Sequence, residues 1–135
     1  MSRRDHEKLL AFLEQKTRSP FGWARSRNNC VTFAARAVKA QTGRDPLTGL
    51  KWQTLEEGER LLEREGGLEA AVDKRLRRIP PAMAQRGDVA GVADERFGIR
   101  LMIVEGSTLV GPGAGGNKRV PRAAMSAAWS AEALG

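Results

Sequence analysis

Apolar residues in this chain recur with a helical period up to Pro80-Pro81 and with a strand-like period after it. Two consecutive prolines cannot continue a helix, because each lacks the amide donor and clashes with the preceding turn. Upstream, Leu9, Phe12 and Leu13 stand at i, i+3, i+4, with Asp5 and Glu7 before them and Lys16 after, a charge order that suits the helix dipole. That pattern predicts a first helix over about residues 4–16, ended by Pro20 and Gly22. Cys30, Phe33, Ala34, Ala37 and Val38 form one face of a second helix, with Asn29 as N-cap and Gly43 past its end. Thr54 caps a third helix through Glu57, Gly66-Gly67 ends it, and Leu68, Ala71, Val72 and Leu76 mark a short fourth.

Downstream, the runs DVAGV, GIRLMIV, STLVG and KRVP are short, rich in β-branched residues and separated by glycine-containing turns. Glu105-Gly106 reads as the turn of a hairpin. Helices first and strands afterwards predict an α+β fold, its helices packed on one face of a small antiparallel sheet spanning about residues 85–121. Trp129 then packs against that sheet from the C-terminal segment. A length of 135 residues gives one domain, with 1–78 mainly helical and 85–121 mainly strands. The stretch GPGAGG lacks the Lys-Ser or Lys-Thr of a phosphate loop and reads as a strand connection.

The chain holds one Cys and one His, which excludes an internal disulfide and the usual Cys/His zinc sites; no metal and no cofactor is expected. No apolar run approaches the ~18 residues of a membrane helix, and charges interrupt the N-terminal apolar positions, unlike a secretion signal. Lys and Arg total 23 against 16 Asp and Glu, a net charge of +7. Such a balance favours an acidic partner or leaves a solvated basic face. The densest basic runs are KRLRR, with Lys74, Arg75, Arg77 and Arg78 at a helix end, and NKR, with Lys118 and Arg119 in a hairpin.

Cys30 has two readings. A thiol at a helix N-terminus is favoured as the thiolate, and Arg25 and Arg27 would push the same way. Yet Cys30 also begins the apolar stripe of its helix, and unpaired Cys is among the most buried residue types. His6, on the first helix and off its apolar stripe, reads as an exposed terminal histidine.

The segments PFGWARSRNNCVTFAARAV, QRGDVAGV and RFGIRLMIVEG, in that order, resemble the papain-like NlpC-type cell-wall peptidase superfamily. Within it they are most similar to a small group associated with phage and prophage tail gene clusters. The resemblance places Phe21, Trp23 and Cys30 on the aromatic and nucleophile positions and Gly87-Asp88 on the pair that opens the first core strand. Asn29 stands where the superfamily usually has Asp, and Arg96 falls at the histidine position, with Arg100 as the alternative if the strand slips. Neither arginine can serve as a base. Trp23 and Trp52 either line the old cleft beside Cys30, as binding positions with Asn29 and Arg96, or pack the core as Trp129 does.

Three functions follow from these residues. The resemblance with a missing base implies a structural or tail-assembly protein without peptidase activity, contacting other phage tail or tail-tip proteins. Its place would be the host bacterial cytoplasm during assembly, then the virion tail. The second reading is an active cysteine hydrolase on cell-wall peptides with Cys30 as nucleophile. The third, nucleic-acid binding, rests on charge alone and lacks a stacking platform, since there is no Tyr and the four Phe read as internal.

Overall fold

The structure, a computed structural model, describes residues 4–16, 21–113 and 115–133; Pro20 and Ala114 lie outside them. Among the described residues, four α-helices come first: α1 (His6–Lys16), α2 (Cys30–Thr42), α3 (Leu55–Glu65) and α4 (Leu68–Asp73). Six strands follow: β1 (Leu76–Ile79), β2 (Val89–Asp94), β3 (Gly98–Val104), β4 (Thr108–Gly113), β5 (Gly116–Pro121) and β6 (Met125–Ala133). They make one antiparallel sheet in the order β1-β6-β2-β3-β4-β5. The fold is α+β.

The helix ends have local causes. The Thr54 hydroxyl accepts from the Glu57 N–H at 3.2 Å to open α3. Gly43 and Gly66 close α2 and α3 in the left-handed conformation, at φ 80° and 92°, where a Cβ would be strained. Asp5 accepts from the Lys8 N–H at 3.0 Å and so opens α1.

The main core lies between the helices and one face of the sheet. Phe12 of α1 meets Phe33 of α2 with ring centroids 5.3 Å apart, and Phe33 rests among Leu101, Ile103, Val110 and Trp129. Each large side chain so buried contributes about 1.5–3 kcal/mol. A smaller cluster of Ala90, Met102, Val104, Leu109 and Ala128 fills the opposite face.

The sheet is larger than the 85–121 expected from sequence. Leu76 belongs to β1 and not to the fourth helix, and residues 125–133 form β6, which lies between β1 and β2. In β6, Ala127, Ala128, Trp129, Ser130 and Ala131 are all buried, so covering on both faces erases the alternation that marks a strand. Alanine is also a poor strand former. Trp129 lies in the sheet itself, fully buried, and its indole N–H donates to Asp73 at 2.8 Å.

Gly87-Asp88 ties the sheet to the N-terminus. Asp88 is 1% exposed; its carboxylate accepts from the Gln85 N–H at 2.7 Å, the Ala131 N–H at 3.0 Å and the Arg4 guanidinium. Gly87 has φ +93°, and a Cβ there would lie 1.9 Å from the Gln41 Oε1. Asp88→Asn replaces one acceptor oxygen with a donor facing a donor and leaves Arg4 without its buried counter-charge. It is expected to cost about 3 kcal/mol, read as a lower urea midpoint with an unchanged slope.

Candidate functional site

The site is built on the start of α2. Asn29, only 2% exposed, is its N-cap, at φ −137° and ψ 176°. Its side-chain oxygen accepts from the Val31 and Thr32 N–H groups, both at 3.1 Å. Its amide nitrogen donates to the carbonyls of Gly22 at 3.0 Å and of Trp23 and Ala24 at 3.2 Å. Thr32 completes the cap by accepting from the Asn29 N–H at 3.0 Å and donating to the Arg27 carbonyl at 2.7 Å. An Asp at 29 would keep the two acceptor bonds but aim an anion at three carbonyl oxygens. Here the amide is what binds the 22–24 loop to the helix.

Cys30 is the first residue of α2. Its half-buried side chain packs on the main core, as do Val31 and Phe97. Burial pushes the thiol above its usual range, and the negative charge of Asp94 acts in the same direction. Hydrogen bonding to the Leu101 and Val31 backbone and the charge of Arg100 pull the other way without overcoming burial. Of the two arginines expected beside the thiol, Arg25 is engaged elsewhere and Arg27 is exposed. Arg25 pairs with Asp45 at 3.2 Å, and the Arg27 carbonyl takes the Thr32 hydroxyl and the Arg36 guanidinium.

His6, the one histidine of the chain, sits at the far end of α2 from Cys30. The neighbouring Asp5 N–H donates to the Gln41 carbonyl at 2.9 Å. Gln41 is eleven residues along the helix from Cys30, roughly 16 Å at the helical rise. His6 itself is exposed.

Arg96 lies in the turn between β2 and β3, where its N–H donates to Asp94 at 2.9 Å. Its guanidinium covers the Trp23 ring at 5.3 Å and the Phe97 ring at 6.0 Å. Trp23 also meets Phe21 and Phe97 edge-on, at 4.9 and 5.9 Å. Phe21, expected to be internal, is 39% exposed. The Trp52 indole N–H donates to the Trp23 carbonyl at 2.6 Å. Trp23, Asn29, Trp52 and Phe97 line one cavity of about 100 Å³ beneath α3. Cys30 is beside this group and does not line the cavity. The sequence reading missed Phe97, whose apolar side chain next to Arg96 looked like ordinary strand interior. It also missed Gly58, a glycine within α3 that lets the helix lie against Trp52.

The basic runs change meaning in three dimensions. Lys74 and Arg75 both pair with Glu65. Arg78, on β1 and not on a helix end, pairs with Glu69 at 2.7 Å and Asp73 at 2.9 Å and lies over Trp129 at 5.0 Å. Arg119 pairs with Glu105 at 2.8 Å. These bonds hold the carboxyl groups of Glu65 and Asp73 below the usual range. Of the six predicted cations, only Arg77 and Lys118 have no acidic partner among the described residues. Among those residues no group of His, Cys, Asp and Glu is arranged to hold a metal, and no helix is long and apolar enough to cross a membrane.

Helix α2 laid on an antiparallel sheet with a cysteine at its N-terminus is the arrangement of the papain-like NlpC/p60 fold. The structure is similar to the "Crystal structure of NlpC/p60 domain of peptidoglycan hydrolase SagA", at a TM-score of 0.56 and 19% identity, covering 93% of this chain and 98% of that one. By sequence, the chain belongs to the family described as "Domain of unknown function (DUF6950)", which matches residues 2–131. No curated protein matches it.

Two outcomes test the geometry. Asn29→Asp is expected to lose about 2 kcal/mol in denaturant unfolding, because the Gly22 carbonyl loses its donor and all three carbonyls then face an anion, while the added charge at the helix start returns less. Alkylation of native Cys30 by iodoacetamide should follow an apparent pKa above the free-thiol value of ~8.5. Because the folded pKa is raised, the stability from burying the neutral thiol is complete below the unfolded value. It is lost as pH rises through the folded value. A thiolate already reactive at neutral pH would contradict the assignment.

Proposed function

We propose that this chain works by binding, as a non-catalytic NlpC-like protein in phage-tail assembly. The observation that carries the non-catalytic reading is the state of Cys30: burial favours its neutral thiol, and the one histidine lies at the other end of α2. A cysteine hydrolase needs a neighbour that takes the thiol proton and returns it to the leaving group. Arg96, at the histidine position of the resemblance, cannot take a proton and instead stacks on Trp23. The tail assignment draws on the likeness of the Cys30 and Gly87-Asp88 segments to chains of phage and prophage tail gene clusters. The partners are then other tail or tail-tip proteins, met in the host cytoplasm during assembly, and the mature tail is where the protein would remain.

The competing reading, hydrolysis of cell-wall peptides through Cys30, is favoured by the position of the cysteine at a capped helix start and by the likeness in fold to a domain of a peptidoglycan hydrolase. Incubation with purified cell wall separates the two. Wild-type protein and Cys30→Ala are expected to release the same background of peptides, while wild-type protein co-expressed with the neighbouring tail genes copurifies with their products. Peptide release abolished by Cys30→Ala would overturn the binding reading. Copurification with nucleic acid alone would overturn the tail reading.

A further inference from the structure

Helix α3 is amphipathic, yet none of its residues is fully buried. Its apolar residues Leu55, Leu61 and Leu62 are half-buried and line the cavity of about 100 Å³. The floor of that cavity is α2, where Ala34 and Val38 present short side chains, and its far wall is Val72 of α4. Interiors are packed to crystal density, and voids much larger than a water are few. The lining of this one is mostly apolar; of the polar residues there, the Trp52 N–H is bonded to the Trp23 carbonyl, Glu65 is paired with Arg75 and Lys74, and Glu59 is exposed at the surface. A space that offers water no partners stays dry and accepts an apolar guest.

We propose that this cavity seats a single aliphatic side chain, of leucine size, from a partner protein, with α3 as the element that yields to admit it. Volume decides the occupant. A cavity of ~150 Å³ holds a benzene ring, so the smaller space here takes about four to five carbons. A membrane acyl chain would leave most of its length outside. One buried anchor in a desolvated pocket is how protein interfaces concentrate their affinity. The proposal rests on the binding reading above and gives that reading its contact point. Trp23 and Phe97, in edge contact with each other and covered by Arg96, belong to the lining of the same cavity.

Methyl NMR on the full chain tests this, with N-acetyl-L-leucinamide as the side-chain probe. N-acetylglycinamide is the backbone control, and n-pentanol and n-decanol set the length limit. The leucine probe and pentanol are expected to shift the methyl signals of Leu62, Val38 and Val72 saturably, while the glycine probe does not and decanol binds at least tenfold more weakly than pentanol. Ala34→Leu, which fills the floor, should abolish the response, and Ala71→Met from α4 provides a second filling if the first overpacks. Absence of shifts in the wild type, or unchanged shifts in a filled variant that folds, would overturn the proposal. Decanol binding as tightly as pentanol would replace the side chain with a lipid chain and overturn it as well. The cell-wall assay stands apart from this titration: peptide release would end the non-catalytic reading whatever the methyl shifts show, and a failed titration leaves that reading intact.

Discussion

The side chain of Asn29 satisfies five backbone groups at once, two amides at the start of α2 and three carbonyls of the loop before it. The Trp23 and Ala24 carbonyls also accept from the Trp52 indole and the Arg27 N–H, so the Gly22 carbonyl and the two amides are the groups that lean on Asn29, and an unpaired buried polar atom costs about 1–3 kcal/mol. The bond set fixes where α2 begins, and so where Cys30 stands. It also holds the Trp23 carbonyl where the Trp52 indole reaches it. The helix, the aromatic group and the loop that carries Trp52 therefore share one anchor. Only an amide can serve, since the task needs an acceptor on one side and donors on the other.

Two effects compete at Cys30. A helix N-terminus stabilises an anion by about 0.3–1 kcal/mol, whereas burial can move a pKa by up to several units, each worth about 1.4 kcal/mol. The apolar neighbours of Cys30 and the negative charge of Asp94 decide the balance toward the neutral thiol. The same helix start that activates a nucleophile in a polar, histidine-facing setting here carries a core residue.

Net charge is likewise divided by the fold. Of the basic residues gathered in the sequence at 74–78, three are drawn onto Glu65, Glu69 and Asp73. Exposed pairs of this kind add little stability, at ~0–1 kcal/mol each, but they remove those cations from any partner surface. Arg78 has a further role, covering Trp129 while Asp73 takes the indole N–H from beneath. Binding surfaces are thus better sought where apolar contact is unfilled than where the sequence is most basic.

The α2 and α3 boundaries were legible in the sequence because caps and left-handed glycines act through neighbouring residues: Asn29 with Gly43, Thr54 with Gly66. Strands β2 to β5 were legible from their β-branched runs and turns. The absence of a histidine near Cys30 was half legible: composition left only His6, and its place at the far end of α2 came from the packing of α1. Strands β1 and β6 were hidden because pairing across the whole chain, Leu76 with Ala133 and Ala90 with Ala128, makes strands of segments whose own residues do not favour them. The cavity under α3, the orientation of Arg96 over Trp23 and the pairing of the basic runs were decided by tertiary structure alone. Local sequence fixes which backbone groups nearby side chains can satisfy, while distances between side chains far apart in the chain exist only once the sheet and helices have packed.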